Sequence, residues 1–193
     1  MYKRNNLIFG LFLSITLLLT SFSFAQEKKK PKVQVRISPK AEISQIIGLT
    51  KVRISYSRPG VKGRKIWGGL VPYNKVWRTG ANEATKITFS TDVTINGKKL
   101  KKGAYAFFAI PTEKEWTLIF NNVADQWGSF TYNEAKDAMR LKVYPEKRNF
   151  VEWLYYSFTD MIVKKRRHPN SAVISLNWES LKVPFTVETI TKD

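Results

Sequence analysis

"TKITFSTDVTINGKKLKKGAYAFFAIPTEKEWTLIF", residues 85 to 120, decides the fold class. Its first run places Ile87 and Phe89 on one face with polar residues between them, the period of a half-buried strand. Asn96-Gly97 is the dipeptide that tolerates the positive φ angles of a tight turn, so "DVTINGKKL" reads as a hairpin. "GAYAFFAIP" is apolar on both faces, which suits a central strand ended by Pro111. "WTLIF" is its hairpin neighbour after the polar turn Thr112 to Glu115.

The same grammar continues outward. "KVRISYS" sets Val52, Ile54 and Tyr56 against Lys51, Arg53 and Ser55, and "LKVYP", "VEWLYYSF", "SAVISLNW" and "VPFTVETI" are further strand candidates. Only "YNEAKDAMRL", residues 132 to 141, has helical composition over any length. Many short strands and little helix predict an all-β fold: a single antiparallel β-sandwich, jelly-roll-like, with one long glycine-rich loop.

That loop is "YSRPGVKGRKIWGGLVPYNKVWRTGANEAT", residues 56 to 85. Between the flanking strands it makes a connection of roughly 27 residues, beyond the ~12–15 at which unstructured loops become uncommon. Gly60, Gly63, Gly68, Gly69 and Gly80 predict repeated tight turns within it. It carries Arg58, Lys62, Arg64, Lys65, Lys75 and Arg78 against a single acid, Glu83. Arginine forks suit carboxylate, phosphate or sulfate, and Trp67, Tyr73 and Trp77 suit either a sugar face or a core plug. The loop is thus a candidate site for an anionic or glycan ligand, and equally a candidate satellite core with Glu83 latched to arginine. A second aromatic stretch, "FNNVADQWGSFTY", residues 120 to 132, sets Trp127 and Tyr132 beside Asn121, Asn122 and Gln126, a composition that fits either sugar contact or a buried anchor.

The N-terminus reads as an export signal. Lys3 and Arg4 precede an apolar run from Leu7 to about Leu19, and Ser23 and Ala25 offer a small-x-small cleavage site. Residues 1 to 25 are therefore expected to be a signal peptide, 26 to 36 a charged tail and 37 to 193 the sandwich domain, with no transmembrane segment after cleavage. The expected location is the periplasm or the extracellular space. There is no cysteine, so packing alone must hold the fold, and thiol catalysis and thiolate metal sites are excluded.

Without Lys3 and Arg4 the charge is about +16 from 31 basic and 15 acidic residues. Twelve of the basic residues lie in three clusters: Lys28–Lys32, Lys98–Lys102 and Lys164–Arg167. Export and the lack of a stacking-plus-basic motif argue against nucleic acid, leaving anionic lipid or polysaccharide as counter-charge, or simply solvated turns. Catalytic patterns are sparse. The only histidine, His168, sits in the basic turn "KKRRHPN", and no G-x-S-x-G elbow occurs. Glu83 with Asp125 is the one carboxylate pair considered for glycoside hydrolysis, and no ligand spacing suggests a metal or another cofactor.

"ISPKAEISQIIGLTKVRISYSRP", "VKGRKIWGGLVPYNKVWRTGANEATKITFS", "GAYAFFAIP", "WTLIFN" and "QWGSFTY" together resemble the signature blocks of the domain of unknown function 2911 family, exported bacterial envelope proteins. The resemblance runs from about Ile37 to Val187, and its "VWRTGANEAT" block is specific. It implies secretion and a single domain, and supplies no activity. Lys101 and Lys102 stand where such relatives tend to have proline and alanine. The resulting expectation is a binding module for a glycan or other anionic envelope component. Arg58, Arg64, Arg78, Asn82 and Glu83 would be its polar contacts and Trp77 its stacking surface. The alternatives are a hydrolase of an envelope polymer using Glu83, and a structural partner in an envelope assembly.

Overall fold

The computed structural model describes residues 35–162 and 170–189. The expected signal peptide, the tail to residue 34, the Lys164–Arg167 cluster and His168 lie outside them. Ten strands follow in chain order: β1 (Lys40–Ile47), β2 (Thr50–Ser57), β3 (Thr85–Phe89), β4 (Val93–Ile95), β5 (Lys98–Leu100), β6 (Gly103–Ile110), β7 (Trp116–Asn121), β8 (Asp137–Val143), β9 (Glu146–Ile162) and β10 (Ser171–Thr189). They form a six-stranded sheet ordered β1-β2-β3-β6-β7-β8 and a four-stranded sheet ordered β5-β4-β10-β9. The two antiparallel sheets pack as the expected all-β sandwich.

Alternation determines which side chains meet. On β2, Val52, Ile54 and Tyr56 are buried while Lys51 and Arg53 face solvent. The inner faces join through aromatic contacts: Phe107 and Phe120 lie 5.4 Å and 6.0 Å from Phe185 of the opposite sheet, and Tyr56 meets Tyr156 edge-on at 4.8 Å. β6, apolar on both faces, is central as expected: its inner Phe107 joins the main core, while its outer Ala106 and Phe108 join a smaller cluster with Ala84 and Ile119. The β4–β5 hairpin turns at Asn96 and Gly97, with φ of 45° and 80°, as that dipeptide requires.

Two expectations fail instructively. Residues 132 to 141 are not a helix; a short 3-10 turn, Glu134–Lys136, leads directly into β8. Met139, Leu141 and Val143 recur at every second position and fill the core against β7, so cross-strand burial overrides helical composition. "SAVISLNW" and "VPFTVETI" are likewise one strand, β10. It bends at bulges around Glu179, whose φ is 54°, and so pairs first with β9 and finally with β4. Among the described residues no helix is long and apolar enough to cross a membrane.

Candidate functional site

The connection between β2 and β3 is not a free loop. It pairs with β9 through Val61 N–H to the Glu152 carbonyl at 2.9 Å and Leu154 N–H to the Pro59 carbonyl at 3.1 Å. Trp77 then exchanges two backbone hydrogen bonds of 2.8 Å with Ala109, covering the edge of β6 beyond the start of β3. Two of its bends leave little or no room for a Cβ. A Cβ on Gly69 would stand 2.4 Å from the Lys65 carbonyl oxygen, and one on Gly80 would stand 3.1 Å from that of Ser57.

The loop also carries a plug between the sheets. Trp67 and Trp77 enter a cluster with Trp116 of β7 and Trp178 of β10, at centroid distances between 4.8 Å and 6.3 Å. Each indole N–H is satisfied: Trp67 donates to Glu179, Trp77 to the Gly80 carbonyl, Trp116 to the Thr112 carbonyl and Trp178 to the Glu152 carbonyl. Trp77 is 8% exposed and lies nearly parallel to Trp178, so most of its surface is occupied by protein. Of the two uses open to the loop tryptophans, the core role is the one this packing serves.

Beside that plug the chain takes costly backbone conformations. Thr79 is β-branched, fully buried and has φ of 51°; Asn82 has φ of 58°. Thr79 is held there by three hydrogen bonds: its hydroxyl donates to the Phe107 carbonyl, and its own carbonyl accepts from Thr85 Oγ1 and Tyr156. Such strain persists only where the surroundings over-determine it. Its effect is to present Arg78, Asn82 and Glu83 outward from a rigid bend.

Arg78 and Asn82 line a cavity of about 370 Å³ with Lys62, Arg64, Trp77 and Trp178. Three cations and no carboxylate line it among the described residues. Arg64 is positioned by Nε to the Val61 carbonyl at 3.0 Å and Nη2 to the Gly60 carbonyl at 2.6 Å, and its Nη1 makes no hydrogen bond among the described residues. Asn82 donates to the Ser38 carbonyl at 3.3 Å. Arg78 differs from both: among the described residues its buried Nε has no hydrogen-bond partner and its guanidinium no ion pair. Burial lowers its pKa from the ordinary arginine value, the signature of a desolvated cation without a counter-charge.

The other two expected site residues part company with this group. Arg58 donates through Nε to the Leu154 carbonyl at 2.9 Å and lines neither this cavity nor the next, a position that ties loop to sheet. Glu83 lines a neighbouring cavity of about 320 Å³ together with Asp125 and Trp127. Both of its oxygens accept from Arg36 Nη1, at 2.8 Å and 2.7 Å. Desolvation raises its pKa, but the Arg36 hydrogen bonds, a backbone hydrogen bond and the charges of Arg36 and Lys40 outweigh that and lower it. A carboxylate held ionised is the reverse of what a general acid needs, although the cleft does bring Glu83 and Asp125 to one surface.

Sequence reasoning missed Trp178 as a wall of the cationic cavity, since it arrives from the far sheet, and Arg36, which lies in the expected tail. Among the described residues no cluster of three or more metal-ligating side chains is placed to hold an ion. Residues 38–187 match the family model described as protein of unknown function (DUF2911). No curated protein and no solved structure matches the chain.

Proposed function

We propose that this chain, which belongs to the DUF2911 family of proteins of unknown function, is a binding module that captures an anionic group of an envelope glycan or other anionic envelope component. The envelope setting rests on the export signal of residues 1 to 25. The single observation that carries the reading is Arg78: its side chain lines a cavity whose other charged walls are Lys62 and Arg64, and its buried Nε has no hydrogen-bond partner among the described residues. A buried cation without a partner is costly unless a ligand supplies the counter-charge. Carboxylate, phosphate or sulfate would be gripped by the Arg78 fork, with Arg64 Nη1 and the Asn82 amide as further donors. Trp77 and Trp178 serve as the apolar wall that excludes water, strengthening each charged hydrogen bond, while Arg58 ties the loop to β9 behind it.

Calorimetric titration with oligogalacturonate, a sulfated glycan and inorganic phosphate, each beside an uncharged counterpart, tests this. At least one anionic probe is expected to bind, with affinity falling about tenfold or more in Arg78→Ala and falling also with added salt. Affinity unchanged by Arg78→Ala, or preference for the uncharged probes at this cavity, would overturn it.

A further inference from the structure

The cleft next to the cationic cavity is a separate site, and its chemistry is different. It opens on the outer face of the six-stranded sheet, where Ser55 and Ser57 of β2 project between Lys40 of β1 and Lys86 of β3. The segment around Trp127 forms its far wall. That wall is built into the fold: Glu83 and Trp127 form a β-bridge, Ala84 N–H donates to the Gln126 carbonyl at 3.0 Å, and Gly128 N–H donates to the Asn82 carbonyl at 3.1 Å. The Gln126 amide ties the turn from within, donating to the Val123 carbonyl at 2.7 Å.

On this fixed backbone the Trp127 ring is 58% exposed and stacks on no other ring among the described residues. The four tryptophans of the plug are buried or partly buried and have their N–H groups satisfied. Of the two remaining tryptophans, Trp153 is the less exposed and lies beneath Lys62, whereas Trp127 lines this cleft with its backbone pinned. A tryptophan so held is a platform rather than an anchor.

The polar groups around it are mostly paired and offer donors and acceptors to hydroxyls. Glu83 is neutralised by Arg36, and Asp125 by Lys86 at 2.6 Å, so the carboxylates act as paired acceptors. The Ser55 and Ser57 hydroxyls make no hydrogen bond within the described residues, and Lys40 has no ion pair there. Donors and acceptors therefore alternate along a surface that faces an aromatic ring, which is what an uncharged pyranose presents in complement: an apolar CH face and a rim of hydroxyls.

From this juxtaposition the geometry points to a second binding site, for a neutral pyranose, with Trp127 stacking the sugar and Ser55, Glu83 and Asp125 serving its hydroxyls, while Ser57 is buried at the floor. The site does not depend on the anion reading, because it shares neither Arg78 nor Arg64. Taken with the anion site, the segment Asn82-Glu83 divides a cationic subsite from a neutral one. The protein is then suited to an acidic heteropolysaccharide in which charged and uncharged residues alternate.

The test is nitrogen-15 correlation NMR of the protein titrated with cellotetraose, maltotetraose, mannotetraose and chitotetraose. At least one probe is expected to shift the Trp127 indole N–H signal. Trp127→Ala should weaken that probe by about tenfold or more, and Trp127→Phe, which keeps an aromatic face, by less. Arg78→Met should leave it unchanged, whereas the same variant should abolish binding of the acidic probes; the two sites thus fail separately. No shift of the Trp127 signal with any of the four sugars would overturn the proposal. So would binding that survives Trp127→Ala in a variant whose spectrum shows it folded.

Discussion

Replacing Arg78 by methionine should make the protein more stable, a direction few arginine deletions share. Methionine keeps an unbranched stem and removes the guanidinium, whose Nε is buried without a partner among the described residues. An unsatisfied buried donor costs about 1–3 kcal/mol, more when charged. Much of the Arg78 head group remains within reach of water, so screening places the gain at the low end, about 1 kcal/mol. For a chain of this size that corresponds to a rise in Tm of roughly 2–4 °C. Circular-dichroism melting of the wild type beside Arg78→Met, with urea midpoints as a second readout, measures it. A fall in Tm of more than about 2 °C would refute the reasoning, because it would mean that Arg78 is a latch whose partner lies outside the described residues.

Other consequences follow from the same geometry. Trp116→Ala opens the center of the tryptophan plug without touching either cavity and should cost about 3–5 kcal/mol, read as a lowered urea midpoint at unchanged slope. Gly69→Ala drives a methyl into the Lys65 carbonyl and should destabilise by about 1–3 kcal/mol; a neutral melting curve would show that the bend can relax. Glu83 has a folded-state pKa below the ordinary value of 4.5, so the stabilisation from its pairing with Arg36 is present above that value and lost as pH falls through the folded one. Glu83→Gln should therefore cost less than about 1 kcal/mol at neutral pH, the pair being exposed, and should flatten the decline in stability below about pH 4.5. Urea titrations at neutral pH and at about pH 3 measure both.

Strands with a single dominant period were legible from their residues. Ile87 and Phe89, the Asn96-Gly97 turn and the doubly apolar run of β6 each specify one arrangement locally. Residues 132 to 141 misled because Glu, Ala and Lys favour helix as composition, while the deciding feature, Met139, Leu141 and Val143 at every second position, acts only once β7 offers a partner. β10 was read in two pieces for a related reason: its bulge at Glu179 lets one strand serve two neighbours, and no turn residue marks it.

Four of the six expected residues, Arg64, Trp77, Arg78 and Asn82, do converge on one cavity, because they share a short and tightly turned segment. Arg58 and Glu83 belong to the same stretch, but the reversals at Thr79 and Asn82 send neighbours to different surfaces. Whether a tryptophan plugs or presents depends on the sheet behind it. Trp77 meets Trp116 and Trp178, whereas Trp127 lies over an open cleft.

The Nε–H resonance of Arg78 reports most directly on the central claim, followed in nitrogen-15 spectra of the protein as oligogalacturonate or inorganic phosphate is added at low salt. An anion gripped by the Arg78 fork should shift it saturably, and the shift should weaken as salt is added. A resonance that neither anion moves would contradict the account and return the loop to architecture alone.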